Sequence, residues 1–452
     1  MSARAARLTL AIQMAVLALI STVLLLRDTA TIFRHVPLDP NEGWNAYHAA
    51  AGFAGLYPAP AGLMVNNYPP LSFPLVAALG RLTGDEIAAG RILSVLAFLA
   101  VAWGIMLALR RMGCAASQAL FGALVFCAGL LIGSDYVAMD DPQLLGHALQ
   151  IAGLLLLLRE RLILAALLLV AGIFVKHNLL ALPLAGGLWL FTRDRHAGAR
   201  FVLAGLGFGL AGLLLFRLVF GVNLVSEIGS PRLYNLANFE NLSWKFLQWS
   251  AAAIEFSIWL AISWRRDTWV RLVVLYGAIA LGTGMAFSGG DGVDVNIFFD
   301  AIIALALCAG LAQHRFGPYP RMAAGLAIIV PLALYGAEHF QDDNFPYTRT
   351  FRAQAPRDIA FLTKGPALCE QLSLCYWAGE KSPLDVFNFG EEIAAGARSD
   401  TGLIELFETR HFRAVQFDSL DAFALGTRVR SALLKNYRLD HEDDNGVFFR
   451  PR

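Results

Sequence analysis

Two carboxylates, Asp39 and Glu42, stand at positions i and i+3 in the segment Pro37-Leu38-Asp39-Pro40-Asn41-Glu42-Gly43-Trp44-Asn45-Ala46-Tyr47-His48, just after the first long apolar run. A carboxylate there can accept a proton from an attacking group, cap a helix, or stand solvated. Pro40 favours a switch from extended chain to helix between the two, so they should take different roles. Asp39, short and held close to the backbone, is the preferred base. Glu42 is the alternative, and otherwise would hold an acceptor or a cation. A second acidic pair, Asp140-Asp141, precedes Pro142 at the mouth of a later apolar run. One of the two should start a helix while the other faces a cavity. Lys176, followed by His177 and Asn178, interrupts another apolar stretch, where a lysine must snorkel or find a phosphate or carboxylate. Arg232, Tyr234, the glycine-rich run Ser288–Asn296 and Asp300 complete the polar candidates.

The elements that must position these groups are membrane helices. The chain of 452 residues is 57% apolar and only 16% charged, well below the charged share of an ordinary soluble chain. About eleven apolar runs approach the roughly 20 residues that a spanning helix needs. They start near Leu8, Ile87, Gln118, Pro142, Leu162, Asn178, Phe201, Phe246, Trp269, Asn296 and Met322, and the fifth and sixth are short. Arg4/Arg7, Arg110/Arg111, Arg159/Arg161, Arg193/Arg195/Arg200, Arg265/Arg266 and His314/Arg315/Arg321 alternate onto one face, the expected cytoplasmic one. The opposite, exterior face then holds the first loop, 27–86, and all the candidate residues above. The basic start could also mark a signal peptide, but no small-residue cleavage site follows directly after Leu26, so a retained first helix is expected.

Residues 1–338 thus form a transmembrane domain and 339–452 a soluble exterior domain. The tail carries Asp342-Asp343, Asp385, Glu391-Glu392 and Glu442-Asp443-Asp444. Strand-like Ala414–Phe417 and Val447–Phe449, mixed with helix-like stretches around Ile393 and Val429–Leu434, predict a small α/β or α+β unit. Cys369 and Cys375 lie in it and can either pair or remain free thiols. Lys plus Arg number 36 against 35 acidic residues, so no basic excess points to nucleic acid. Neither GxxxxGK[ST], GxGxxG nor HExxH occurs, which removes the usual marks of a P-loop pump, a dinucleotide enzyme and a zinc protease. No cofactor is indicated. A divalent metal at Asp140 or Asp141 is permitted without being indicated.

This arrangement resembles the GT-C superfamily of integral-membrane glycosyltransferases, in particular the protein O-mannosyltransferase and lipid A aminoarabinose transferase type. The resemblance rests on Asn41-Glu42 with Tyr47, on Tyr68-Pro69-Pro70-Leu71, on Gly84-Asp85-Glu86-Ile87-Ala88-Ala89-Gly90-Arg91-Ile92-Leu93, on Asp141, on Lys176 and on the exterior tail. One departure is Asn41, which stands where the family has the aspartate of its Asp-Glu motif. The resemblance implies an all-α polytopic fold and an inverting transfer of a sugar from a polyprenyl-phosphate donor to a lipid, glycan or protein acceptor. Asp39 and Glu42 are then the catalytic candidates, and Lys176 and Arg232 the donor phosphate ligands. Tyr47, Tyr68, Asp140, Asp141, His177 and Asn296 would line the substrate site. The expected location is the bacterial inner membrane, with the site facing the periplasm. Two rival readings use the same residues: a transporter or flippase, and a non-catalytic subunit of envelope polysaccharide assembly.

Overall fold

The computed structural model of the chain describes residues 3–57, 63–230, 232–341, 344–381, 384–421 and 423–452, so Asp342 and Asp343 lie outside the described residues. In chain order the membrane region contains α1 (Ala3–Thr29), α2 (Pro40–Ala50), the single turn α3 (Gly52–Gly55), α4 (Phe73–Thr83), α5 (Glu86–Arg111), α6 (Ala116–Gly133), α7 (Gln143–Leu157), α8 (Leu162–Ile173), α9 (Ala181–Phe191) and α10 (Arg195–Phe220). It continues with α11 (Asn223–Ile228), α12 (Leu236–Ser263), α13 (Thr268–Phe287), a 3-10 turn (Val295–Phe298), α14 (Phe299–Arg315) and α15 (Pro318–Gln341). Among the described residues eight helices are long and apolar enough to cross a membrane, and α4, α7, α8 and α9 are shorter apolar helices. The eleven runs read from the sequence correspond to those eight together with α7, α8 and α9. The protein is an integral membrane protein.

Aspartates start several of these helices. The Asp85 carboxylate accepts from the amides of Ile87 and Ala88 at α5, and that of Asp267 from Trp269 and Val270 at α13, satisfying donors that the first turn leaves unpaired. Burial then sorts the helices by depth. In α14 89% of the apolar window is buried, whereas in α10 none is, so α14 is the central post and α10 turns its apolar surface outward to lipid.

Two short helices shape the site. At 1.5 Å per residue α8 and α9 rise only about 17 to 18 Å, against roughly 30 Å of hydrocarbon. The link between them buries Val175 and Lys176, and irregular backbone between two such short apolar helices calls for protein to cover it. Here the Leu71 amide donates to the Phe174 carbonyl at 3.1 Å, so the Pro-Pro-Leu segment lies over the link.

The tail begins with α16 (Asn344–Leu362) and alternates β1 (Ala367–Cys369), α17 (Leu372–Trp377), α18 (Val386–Ala394), α19 (Thr401–Glu408), β2 (Ala414–Phe417), α20 (Gly426–Asn436), β3 (Tyr437–Asp443) and β4 (Gly446–Pro451). The sheet order is β1-β2-β4-β3, with β1 parallel to β2 and the other pairs antiparallel. Leu368, Val415 and Phe449 align across three strands and pack on Val386, Leu403, Val429 and Leu433. Cys369 and Cys375 are joined in a disulfide that ties β1 to α17, settling the pairing that spacing alone left open.

Tail and membrane region interlock. A Cβ on Gly43 would lie 2.1 Å from the Ser373 amide nitrogen, so α2 can press backbone-close onto α17 only with glycine at that position. Trp44 Nε1 donates to Asp385 Oδ2 at 2.9 Å and to the Val65 carbonyl at 3.0 Å. The Asp385 amide in turn donates to the Leu63 carbonyl.

Candidate active site

The chain leaving α1 is extended at Asp39, with φ −157° and ψ 145°, and Asp39 then N-caps α2 as its Oδ1 accepts from the Asn41 amide at 2.7 Å. Pro40 occupies the first helical position, where a missing N–H costs nothing. Among the described residues, Oδ2 of Asp39 accepts no hydrogen bond, which leaves it a free basic oxygen. Burial, reinforced by the negative charges of Glu42, Asp141 and Asp294, pushes the Asp39 carboxyl up to about 7 despite the opposing cap bond.

Glu42 has a different fate. It is fully buried, and its Oε1 accepts from Arg91 Nε at 2.7 Å and the Asp140 amide at 3.1 Å, while Oε2 accepts from Arg91 Nη2 at 2.6 Å and the Leu38 amide at 3.1 Å. A carboxylate offers about four lone-pair positions, and all four are occupied. The expectation that Glu42 serves as a base or an acceptor ligand therefore gives way to an anchoring role. Arg91 spends its remaining donors on the carbonyls of Thr31, Arg34 and Val36, so the pair pins the first loop to α5 immediately before Asp39.

Asp140 and Asp141 also divide their work. Asp141 Oδ1 accepts from the Gln143 amide at 2.7 Å and starts α7, while both its oxygens receive Lys176 Nζ, at 3.1 and 2.9 Å. Lys176 is buried and lies 4.5 Å from the centre of the Tyr68 ring, so its charge is shared between a carboxylate and an aromatic face. Asp140 is buried with Oδ2 unpartnered, in a small cavity lined by Ser72, Phe73, Ser94 and Asn45. A Cβ on Gly90 would lie 1.7 Å from Asp140 Oδ1, so glycine is required on the facing turn of α5.

Arg232 is more exposed. It donates to the Asp291 carbonyl at 2.8 Å and lies over the Phe387 ring. The run Ser288–Asp291 supports that loop, because the Asn235 amide donates to the Gly289 carbonyl and the Asp291 amide to the Leu233 carbonyl. His177 is exposed beside Lys176, and Asn296 is buried in the 3-10 turn. Tyr47 is committed elsewhere: its hydroxyl donates to the Glu380 carbonyl at 3.0 Å and its ring packs edge-on against Tyr376, which makes it part of the tail joint. Deeper in the bundle the Asp300 carboxylate accepts from the Tyr276 hydroxyl, and His147 Nδ1, which makes no hydrogen bond, lies 3.7 Å from it. This polar knot crosses α7, α13 and α14 beneath Asp141.

The arrangement brings Asp39, Asp141, Lys176 and Tyr68 together, with Arg232 and His177 at the rim and Glu42 and Tyr47 as supports. Sequence reasoning missed Arg91 as a partner and Asp294 as a neighbour of Asp39. Arg91 had a usable signal, since an arginine one turn inside an apolar span needs a buried carboxylate. Asp294 was hidden in a loop whose path no local pattern fixes.

No protein-family model matches the sequence, and no curated protein matches it significantly. Solved structures do match. The chain superposes on ArnT from Cupriavidus metallidurans in the apo state with a TM-score of 0.59 and 14% identity, covering 95% of this chain and 97% of that one. The same protein bound to undecaprenyl phosphate gives a TM-score of 0.61 at 14% identity, with 96% and 97% covered. Membrane region and tail together therefore share the fold of these ArnT structures.

Proposed function

We propose that the chain is a membrane glycosyltransferase that takes a sugar from a polyprenyl-phosphate donor at the end of the bundle covered by the tail. The observation that carries this reading is the buried Lys176, held by Asp141 and Tyr68, with the partly buried base Asp39 in the field of that same Asp141, in a fold whose ArnT representative has been solved with undecaprenyl phosphate. A donor already anchored in lipid needs no nucleotide-binding domain.

In the proposed reaction an acceptor hydroxyl attacks the anomeric carbon as the carbon–oxygen bond to phosphate breaks. Asp39 Oδ2 takes the hydroxyl proton, and the leaving phosphate keeps the bonding electron pair. Lys176 is the cation beside that developing charge, with Arg232 at the rim. Attack opposite the leaving group in a single displacement inverts the anomeric centre. A carboxyl that titrates near 7 is matched to taking a proton at neutral pH. Tyr68 and His177 would bound the sugar. The acceptor class is left to experiment.

The test is transfer in proteoliposomes from a radiolabelled polyprenyl-phosphate sugar, scored by release of free polyprenyl phosphate. Release that depends on both Asp39 and Lys176 supports the reading. Movement of intact donor across the bilayer without release would instead identify a flippase.

A further inference from the structure

A second polar cluster lies in the tail, where α16, which leads in from the membrane region, meets the β3–β4 hairpin. Ligand atoms of Asp358, His441 and Asp443 all lie within 4.8 Å of one another. The His441 ring is locked in place: it stacks on Phe448 with 4.4 Å between centroids and meets Phe361 edge-on at 5.2 Å. Its Nδ1 lies 2.9 Å from Asp440 Oδ2, and Asp440 is itself held by Arg450 at 2.8 Å. On its other side Nε2 lies 3.3 Å from Asp358 Oδ1, so the ring stands between two carboxylates and presents Nε2 to the cluster. Asp358 is completely buried.

Two further observations point to an occupant. A carboxylate behind an imidazole whose other nitrogen faces the cluster is the outer-shell arrangement that orients metal-binding histidines. Asn445, 2% exposed, is turned on the same cluster with Nδ2 2.7 Å from Asp358 Oδ2, yet its Oδ1 has no hydrogen-bond partner. Ligand bonds of about 2.0 to 2.1 Å in a tetrahedron separate neighbouring ligand atoms by about 3.3 to 3.4 Å, the spacing already present between His441 Nε2 and Asp358 Oδ1 at 3.3 Å, and the rest of the cluster, within 4.8 Å, would draw in around an ion. The cation now facing the cluster is the guanidinium of Arg357, which contacts Asp358 Oδ1 at 3.1 Å and Asp443. Its side chain is 56% exposed, so it can swing into solvent when a metal enters.

We propose that Asp358, His441 and Asp443 bind a divalent transition-metal ion of the zinc class, which fastens α16 to the terminal hairpin of the tail. The ion would stand outside the transfer site and hold the tail together where it leaves the membrane. Two carboxylates and one imidazole suit zinc better than a hard cation, which prefers an all-oxygen set.

The experiment uses tag-free full-length protein in detergent, stripped with a chelator and dialysed against zinc chloride, with bound metal counted by elemental analysis and tail stability followed by thermal melting. One zinc per chain and a raised melting temperature are expected. Asp443→Asn, at the hairpin end, and His441→Gln should each lose the zinc while the chelator-treated protein stays folded. Asp440→Asn, which touches no metal, should weaken zinc binding by about 10- to 100-fold. Arg357→Ala should retain or tighten it, because a competing cation is removed. Failure of the wild-type protein to take up zinc, zinc retained in full by both Asp443→Asn and His441→Gln, or loss of zinc in Arg357→Ala would each overturn the assignment. None of these readouts depends on sugar transfer, so the metal site and the proposed function stand or fall separately.

Discussion

Glu42 and Arg91, 49 residues apart in sequence, form a completely buried two-pronged ion pair, with Nε to Oε1 at 2.7 Å and Nη2 to Oε2 at 2.6 Å. The pair fixes the route of the chain into α2 and so decides where Asp39 can stand. A carboxylate placed by motif next to the reacting group thus serves as the rivet of the site.

This makes Glu42→Gln a stability variant. Breaking one side of a buried pair costs on the order of 3 to 5 kcal/mol because the other charge is left without a partner. The variant should show a lower melting temperature and poor recovery from the membrane, and Arg91→Lys should behave alike, since an ammonium cannot reproduce the fork. A Glu42→Gln protein with wild-type stability and no transfer activity would return Glu42 to the list of bases.

The pH profile follows from Asp39. Burial lifts its carboxyl to about 7, and a base must be ionised to act. Transfer should therefore rise with pH, gaining close to tenfold per unit below about 7 and levelling off above it. A rate flat between pH 5 and pH 8, once binding is saturated, would show that no group titrating near 7 takes the proton.

Lys176 is tested with its partner. Lys176→Met alone leaves Asp141 buried and uncompensated, so the informative protein is the double variant Lys176→Met/Asp141→Asn, which removes both charges at once. It should insert and fold but bind a polyprenyl phosphate about 10- to 100-fold more weakly, the value of a charge-assisted contact. Unchanged affinity would mean that the lysine only secures the link between α8 and α9.

Gly43 tests the joint between tail and membrane region. A methyl group there would overlap the backbone of Ser373 at 2.1 Å, so Gly43→Ala should loosen α17 and speed proteolysis between α15 and β1. Cleavage at the wild-type rate would show that the joint yields without cost.

Much of this was legible in the sequence. Apolar length located the spans, because the bilayer sets a length that composition must meet. Val447–Phe449 and Val429–Leu434 read correctly as strand and helix because their periods differ. Asp39 was legible as a cap because Pro40 follows it. Long-range pairing was not: nothing near Glu42 announces that Arg91 and the amides of Leu38 and Asp140 will fill its oxygens, and nothing near Tyr47 announces Glu380. Likewise Asp358 and His441 are brought together only by the sheet register, in which His441 pairs with Phe448 just after an irregularity at Leu439.

The central claim is that Asp39 performs chemistry on a donor held beside Lys176, and Asp39→Asn isolates the chemical step, since asparagine keeps the cap and loses the basic oxygen. The decisive measurement is single-turnover transfer by this variant in proteoliposomes, with donor affinity measured on the same preparation. The account predicts donor affinity within a few-fold of wild type and a rate lower by about 10² to 10⁴. Transfer at the wild-type rate would contradict it.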